Sequence, residues 1–141
     1  MRILSFYLYV STTNESEENQ NDFYNETSWT TDINGEPITI TIHDVEDYLD
    51  SVGSPIVEIP VNKIFHMCVH KGKKDPQTIK RSQESDLSYP IIIARNKSGK
   101  LSMILDGHHR LLKAKNEGHR YIKSRILDLS NSPIEFQEMF S

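Results

Sequence analysis

The sequence predicts an α+β fold with a small mixed β-sheet and short helices. Alternating apolar residues, as in Ile38, Ile40 and Ile42, indicate strands at several points along the chain. Short amphipathic segments that begin with helix-capping residues lie between these strands. No internal repeat is evident, so strands and helices in this mixed order favour one α+β domain of ordinary size.

Composition narrows the class of protein further. The chain has 141 residues, a formal net charge of −4 and a single cysteine, Cys68. The acidic balance argues against a generic nucleic-acid binder but not against a local basic patch. One cysteine excludes an internal disulfide and favours the cytoplasm. No apolar run approaches the roughly 20 residues of a membrane helix, so no membrane association is expected.

Residues 1–55 are predicted to be an N-terminal extension that packs on the core. Met1–Val10 is short and apolar and is predicted to be an edge strand. Residues 11–34 are polar, acidic and rich in Asn, Ser and Thr, which is typical of a mobile arm and offers a surface for a protein partner. Asn34-Gly35 indicates a turn, and Pro37–Ile42 predicts a short strand.

A helix is predicted at His43–Ser51, with Thr41 and Asp44 spaced as a capping pair. Its acidic residues are expected to form a solvated face. They are Asp44, Glu46, Asp47 and Asp50. Pro55–Ile64 then predicts a second strand, in which Pro60 indicates an edge or a bend.

The segment Phe65–Lys74 is the first candidate binding region. If it is a strand, its alternating His66, Cys68 and His70 point to one side, a spacing that can hold a metal ion. No fourth ligand is evident, and a cationic loop that meets an anionic ligand is the favoured interpretation; a plain surface loop is the other. The lysines of that loop are Lys71, Lys73 and Lys74.

A polar helix is predicted from Pro76 to about Gln83, with Asp75 as its N-cap. Ile79 is the only strongly apolar residue of this helix and is expected to anchor it to the core. Its two cations and the two acidic residues that follow are expected mainly to face solvent. The alternatives are that the cations contact anions and that the acidic residues act as a base or bind a metal ion. These residues are Lys80, Arg81, Glu84 and Asp86.

The remaining elements are three strands and two helices. The apolar run Ile91–Arg95 predicts a buried strand, and Ser98-Gly99 indicates the turn into a further strand, Lys100–Leu105. A short helix around Leu111 and Leu112 precedes the strand Tyr121–Leu127. Residues 130–141 are predicted to form an amphipathic helix. A capping box at Ser132–Glu135 and a proline at its first position start that helix.

The loop Asp106–Arg110 joins a strand directly to a helix start, which makes it a candidate anion site. Backbone N–H groups lack intrahelical partners there, and the helix dipole favours negative charge. Gly107 permits close approach of the backbone, and Arg110 offers a fork of donors suited to phosphate. Asp106 would repel phosphate unless it binds a divalent cation, accepts a proton or holds the loop together.

The segment Tyr89–Leu127, YPIIIARNKSGKLSMILDGHHRLLKAKNEGHRYIKSRIL, resembles the ParB/sulfiredoxin superfamily, which includes the ParB-like nuclease domains. The resemblance covers roughly residues 56–129, flanked by the extension 1–55 and the helix 130–141. In this superfamily the loop and helix start bind a nucleoside triphosphate, and in some members an acidic residue of the motif takes part in phosphoryl transfer. The present motif contains no cysteine, so sulfiredoxin chemistry is not expected.

The resemblance implies binding of ATP or CTP with Mg²⁺, and a phosphotransferase or nucleotide hydrolase is the enzyme class to consider. Asp106 and His108 are the catalytic candidates, with Asp106 also the candidate Mg²⁺ ligand and His108 suited to acid–base work near neutral pH. The phosphate-binding candidates are Gly107, His109, Arg110, Lys71, Lys73 and Lys74.

Two alternatives stay open at this stage. A nucleic-acid binder or nuclease, which is not favoured, would contact the phosphate backbone with scattered cations. These are His66, His70, the three lysines, Arg110, Lys113, Arg120 and Lys123. A non-enzymatic accessory protein of phage or plasmid type would instead bind a host partner through residues 11–34.

Overall fold

The structure, a computed structural model, describes residues 27–141. The predicted strand Met1–Val10 and most of the predicted arm lie outside the described residues. The elements are β1 (Ser28–Ile33), β2 (Glu36–Thr41), α1 (Ile42–Ser51), β3 (Val57–Pro60), α2 (Val61–Ile64), α3 (Pro76–Gln83), β4 (Ile91–Arg95), β5 (Leu101–Asp106), α4 (His108–Asn116), β6 (Tyr121–Asp128) and α5 (Ile134–Phe140). Within this part of the chain no helix is long and apolar enough to cross a membrane.

A four-stranded mixed sheet forms the centre, in the order β3-β6-β4-β5. β4 runs parallel to β6 and antiparallel to β5, while β3 runs antiparallel to β6. The strands β1 and β2 form a separate antiparallel hairpin. The α+β class with a small mixed sheet is therefore confirmed.

The central strand β4 is buried on both faces. Ile92 and Ala94 belong to one apolar cluster, together with residues of the β1–β2 hairpin, α1 and α5. Ile91 and Ile93 belong to a second cluster, together with residues of α2 and α4. Alternate residues of β4 therefore face opposite sides of the sheet, and other elements cover both sides. This accounts for the continuous apolar run of the strand. The predicted buried strand at this position is confirmed.

Local sequence signals placed several elements correctly. Thr41 and Asp44 form a reciprocal capping box, in which the Thr41 N–H donates to Asp44 Oδ2 at 2.7 Å and the Asp44 N–H donates to Thr41 Oγ1 at 3.2 Å. Asp75 accepts from the Thr78 N–H at 3.0 Å, and Pro76 occupies the first turn of α3. Asn34 has a φ of 54° in the turn of the hairpin. These short-range signals succeed because the groups that satisfy each helix end lie within three residues of it.

Other expectations were wrong where tertiary packing decides the outcome. The arm ends earlier than predicted, since Ser28–Ile33 forms β1 and its Trp29 ring packs edge-on against Phe140 at 4.8 Å. The strand predicted at Pro55–Ile64 is limited to β3, because the chain turns into α2 directly after Pro60.

The predicted cap of α5 differs from the structure, and the predicted acidic face of α1 differs from it at Asp44. Pro133 is the N-cap of α5 and no side chain caps it, while Glu135 is 2% exposed. On α1, Asp44 is fully buried in the capping box. Asp47 and Asp50 are exposed as predicted, and Asp50 Oδ1 accepts a hydrogen bond from Arg125 Nη1 at 2.8 Å. A carboxylate that accepts a hydrogen bond from the backbone can be buried, and one that pairs with a cation can be held in place, even on a helix of acidic composition.

Candidate functional site

The junction between β5 and α4 is a tight turn that only glycine fits. Gly107 has a φ of +103° and is the N-cap of α4. A Cβ atom at this position would lie 2.4 Å from Ile91 Cγ2 and 3.1 Å from Arg110 Nη2. The backbone is thus pressed against β4 on one side, which fixes where the helix begins.

The first turn of α4 has no side-chain cap. Gly107 supplies no side chain, and the first intrahelical bond runs from the Leu111 N–H to the Gly107 carbonyl at 2.9 Å. The N–H groups of the residues between them gain no intrahelical acceptor. The predicted unsatisfied helix start is present, with the positive end of the helix dipole beside it.

Arg110 and Asp106 form an ion pair at this junction. Arg110 Nη2 donates to Asp106 Oδ2 at 2.9 Å, and the two side chains are 18% and 33% exposed, respectively. Arg110 Nε is buried and has no hydrogen-bond partner among the described residues. Of the three roles considered for Asp106, the structure displays the one in which it holds the loop together.

A cleft with a volume of about 690 Å³ opens beside the loop. Residues 105–110 form its floor, while Ile42, His43 and Glu46 of α1 line it on one side. Charged residues of α3 and of the turn after it also line the cleft: Lys80, Arg81, Glu84 and Asp86. A smaller cavity of about 260 Å³ shares Glu46, Asp106 and Arg110 with the cleft and reaches Arg125.

Three histidines meet at the edge of this cleft. The rings of His70 and His109 have centroids 4.1 Å apart, and those of His70 and His108 lie 6.0 Å apart. The Val69 N–H donates to His108 Nδ1 at 3.2 Å, which leaves Nε2 as the nitrogen of His108 that can carry the proton. His70 was predicted as a metal or anion contact in its own segment, and the structure brings it to the Asp106–Arg110 loop.

Burial and neighbouring charge make these histidines weak bases. Burial, followed by the charges of His70 and Arg81, lowers the pKa of His109 to about 4. Burial also lowers the pKa of His70 and of His108 below the usual value of 6.5. At neutral pH the three rings are therefore uncharged, and His109 offers a ligand hydrogen bonds rather than a positive charge.

The predicted lysines do not line the cleft that the loop residues line. Lys71, Lys73 and Lys74 lie in an exposed turn after His70 and do not line the cleft. Lys73 is the one whose charge contributes to the lowered pKa of His70 and of His109. Lys80 and Arg81, for which solvent exposure was the favoured expectation, do line the cleft. They are the two cations of α3.

The metal site considered at Phe65–Lys74 does not form. Phe65–Met67 is a 3-10 turn instead of a strand, so His66, Cys68 and His70 do not share one side. His66 is exposed, and the buried Cys68 thiol donates to the His108 carbonyl at 3.5 Å. Residues 27–141 contain no group of three or more His, Cys, Asp or Glu side chains that could hold a metal ion.

Of the cations of the nucleic-acid alternative, His70 and Arg110 line the cleft, but Lys113, Arg120 and Lys123 do not. Lys113 Nζ donates to the carbonyls of Gln83 and Ser85, at 3.0 and 2.7 Å, and so fastens the end of α3 to α4. Arg120 and Lys123 are exposed and belong to neither cavity, and Lys123 stands opposite Glu58 in the β3–β6 pair.

Sequence reasoning missed the contribution of α1. Glu46 lines both cavities and contacts His43, whose Nδ1 lies 3.1 Å from Glu46 Oε1. Burial raises the pKa of Glu46, and the nearby negative charge of Asp106 adds to that effect. The helical periodicity predicts only which residues of α1 reach the core; it carries no signal about which loop the opposite edge of the helix faces.

Comparison of the chain with protein-family models, with curated proteins and with solved structures finds no match. The resemblance to the ParB/sulfiredoxin superfamily therefore depends on the motif and on the order of elements alone, and it stays a hypothesis.

Proposed function

We propose that the protein is a ParB/sulfiredoxin-like domain that binds the phosphates of a nucleoside triphosphate, ATP or CTP, in the cleft beside Asp106–Arg110. The observation that carries this proposal is the uncapped start of α4 opening into a cleft together with Arg110. The volume of about 690 Å³ falls within the range that small-molecule sites usually have. A cytoplasmic location, as expected from the single cysteine, gives access to such ligands.

Several donors would contact the phosphates. The N–H groups of the first turn of α4 would donate to a bound anion, as at other helix starts that bind phosphate. Arg110 adds a charged fork, and Lys80 and Arg81 add charge from α3. His109 would donate a neutral hydrogen bond because its pKa is about 4.

Asp106 would hold Mg²⁺, with the ligand's own phosphates and water completing the coordination. Mg²⁺ is commonly bound through one or two carboxylates plus substrate phosphates, so the lack of a three-residue metal cluster among residues 27–141 is compatible with it. Asp106 fits this role because it lines the cleft and is one-third exposed. The bound ion would neutralise phosphate charge.

Phosphoryl transfer or hydrolysis is the reaction class that such a site would support, since that chemistry depends mainly on positioning and charge neutralisation. His108 would move a proton only through Nε2, because Nδ1 accepts from the Val69 N–H. A nucleotide can bind without being turned over, so the first experiment measures binding.

The test is a thermal-shift and calorimetric titration with ATP, CTP and GTP, each with and without Mg²⁺. A ligand that binds only the folded state raises the melting temperature, by roughly 10 °C at about 100 times Kd. The variant Arg110→Lys keeps the charge but loses the fork and is expected to weaken binding roughly 10-fold, and Lys80→Gln roughly 3-fold.

The matched control is Lys97→Gln, in the exposed turn between β4 and β5, which should bind as the wild type does. If no nucleotide raises the melting temperature of the wild-type protein under any of these conditions, the proposed function is wrong.

A further inference from the structure

We infer that a second copy of this chain binds to an uncovered part of the central sheet, formed mainly by β3 and the start of β6. This part is called the open face, and its residues are Ile56, Glu58, Pro60, Tyr89, Tyr121 and Lys123. The inference goes beyond the proposed function and does not depend on it, because none of these residues lines the larger cleft.

The strand register assigns the side chains of β6 to the two faces of the sheet. Alternate residues of a strand point to opposite faces, and residues opposite each other in an antiparallel pair share a face. Leu127 belongs to the apolar cluster that includes α1 and α5, whereas Ile122 belongs to the cluster that includes α2 and α4. Tyr121 and Lys123 are therefore on the same face as Leu127.

The helices on that face cover only part of it. The end of α1 lies over Arg125, whose Nη1 donates to Asp50 at 2.8 Å and whose Nη2 donates to the Ser54 carbonyl at 3.1 Å. Nearer the start of β6, Lys123 and Tyr121 are exposed. The covering layer on this face therefore ends at Arg125.

The neighbouring strand is uncovered over the same stretch. Glu58 and Pro60 lie opposite Lys123 and Tyr121 in the β3–β6 pair, and both are exposed. The distance from Arg125 to Tyr121 is four residues, which is about 13 Å along a strand. The open face is thus a continuous surface and not a set of isolated exposed side chains.

Large apolar side chains are concentrated here. Seven such side chains are exposed among residues 27–141, and four of them are each more than half exposed in this region: Val52, Ile56, Tyr89 and Tyr121. Val52 lies in the turn that holds Arg125, and Tyr89 lines the smaller cavity together with Arg125, which places both at this end of the sheet. A cluster of exposed apolar residues that includes tyrosines is typical of a protein–protein interface.

The charges around the open face favour a second copy as the partner. Asp47 and Asp50 of α1 are exposed at one end, and Arg120 and Lys123 are exposed at the other. Two identical surfaces that pair about a twofold axis must complement themselves, and this rotation brings the cationic end of one copy to the carboxylates of the other. A partner with a single sign of charge would be repelled at one of the two ends.

The size of the open face indicates a weak dimer. Two strands and the start of a third span only about 10 Å across the sheet, so the contact falls short of the roughly 800 Å² per partner of a standard interface. We expect a Kd of about 10–100 µM.

Sedimentation equilibrium of the full chain between about 5 and 500 µM tests this, and the wild type should pass from monomer to dimer in that range. Tyr121→Ser should raise the Kd at least about 10-fold, because tyrosines often contribute most at an interface. Ile56→Ser should raise it as well and keeps the test decisive if Tyr121→Ser does not fold. Lys123→Glu should raise the Kd about 10-fold, and adding Asp47→Lys to the same chain should restore most of the affinity, because the two charged ends are then exchanged.

The matched control is Val69→Ser, which changes an equally exposed apolar residue in the turn after the 3-10 segment and should keep the wild-type Kd. A wild type that stays monomeric at about 500 µM overturns the inference and leaves the open face to a different protein or to residues outside 27–141. A dimer that both Tyr121→Ser and Ile56→Ser leave unchanged also overturns it, because another surface then joins the copies. Both results leave the proposed nucleotide site as it stands.

Discussion

The imidazole rings of His70 and His109 pack against each other, with centroids 4.1 Å apart and an angle of 37° between their planes. One ring belongs to the turn after the 3-10 segment and the other to the first turn of α4. Their contact joins the two parts of the chain that hold most of the sequence-predicted site residues. A proton on either ring would place a charge in this partly buried contact, and burial disfavours that charge.

Acid should therefore destabilise the protein through these histidines. Their folded-state pKa values lie below the usual 6.5, with that of His109 near 4, so protonation favours the unfolded chain. The stability they contribute is complete above pH 6.5 and is lost as the pH falls towards 4. Glu46 acts in the opposite direction, because burial raises its pKa and the folded state then binds its proton more readily.

Thermal unfolding curves between these two pH values would measure the effect. His109→Asn should flatten the fall in melting temperature. The control His119→Asn, at an exposed position beside Glu117, should retain it. An equally steep fall in His109→Asn would show that other groups cause the acid sensitivity.

Gly107→Ala should be among the most damaging single substitutions in the described part of the chain. The added Cβ would lie 2.4 Å from Ile91 Cγ2, and the φ of +103° is strained for any side chain. Overpacking and strain together should cost about 2–4 kcal/mol in the free energy of unfolding. Gly99→Ala has a φ of +92° but no atom within 4 Å, so it should cost only about 1 kcal/mol. Urea unfolding of both variants separates steric overlap from backbone strain, and equal losses would contradict the close approach to Ile91.

The sequence predicts those parts of the fold whose determinants are local. The capping box of α1, the N-cap of α3 and the turn at Asn34 each involve residues a few positions apart, and each is found as predicted. The structure of the segment Phe65–Lys74 was harder to predict, because alternating polar and apolar residues occur in turns as well as in strands. Its 3-10 turn is fixed by contacts with α4, such as the bond from Cys68 to the His108 carbonyl.

The residues of the candidate site also fall into those that a local pattern predicts and those that tertiary packing brings in. The loop Asp106–Arg110 is recognisable because a strand, a glycine and a helix follow one another in sequence. The arrival of His70, Arg81 and Glu46 at that loop depends on how three separate elements pack, and no local pattern encodes it. Glu46 in particular belongs to a helix whose composition suggests a solvated face.

The buried capping box should stabilise α1 and, through it, one wall of the cleft. Asp44→Ala removes the acceptor for the Thr41 N–H and is expected to lower the free energy of unfolding by about 1–2 kcal/mol. Asp47→Ala, an exposed position three residues further on the same helix, should change it by less than about 0.5 kcal/mol. Chemical denaturation of the two variants gives the comparison, and similar losses would mean that helix propensity, not the cap, controls this helix.

The Cys68 thiol offers a way to measure how often the start of α4 opens. It is 5% exposed and donates to the His108 carbonyl at 3.5 Å, and burial raises its pKa, so the reactive thiolate is scarce in the folded state. A disulfide reagent at mildly alkaline pH should modify the native protein at least about 100-fold more slowly than the urea-unfolded chain, which corresponds to an opening free energy of about 2.7 kcal/mol. Gly107→Ala should raise the native rate, because a loosened loop uncovers the sulfur, whereas Gly99→Ala should not. Since Cys68 is the single cysteine, the unfolded sample reports the full signal and no second thiol interferes. A native rate equal to the unfolded rate would show that the thiol is not covered by the Asp106–Arg110 junction.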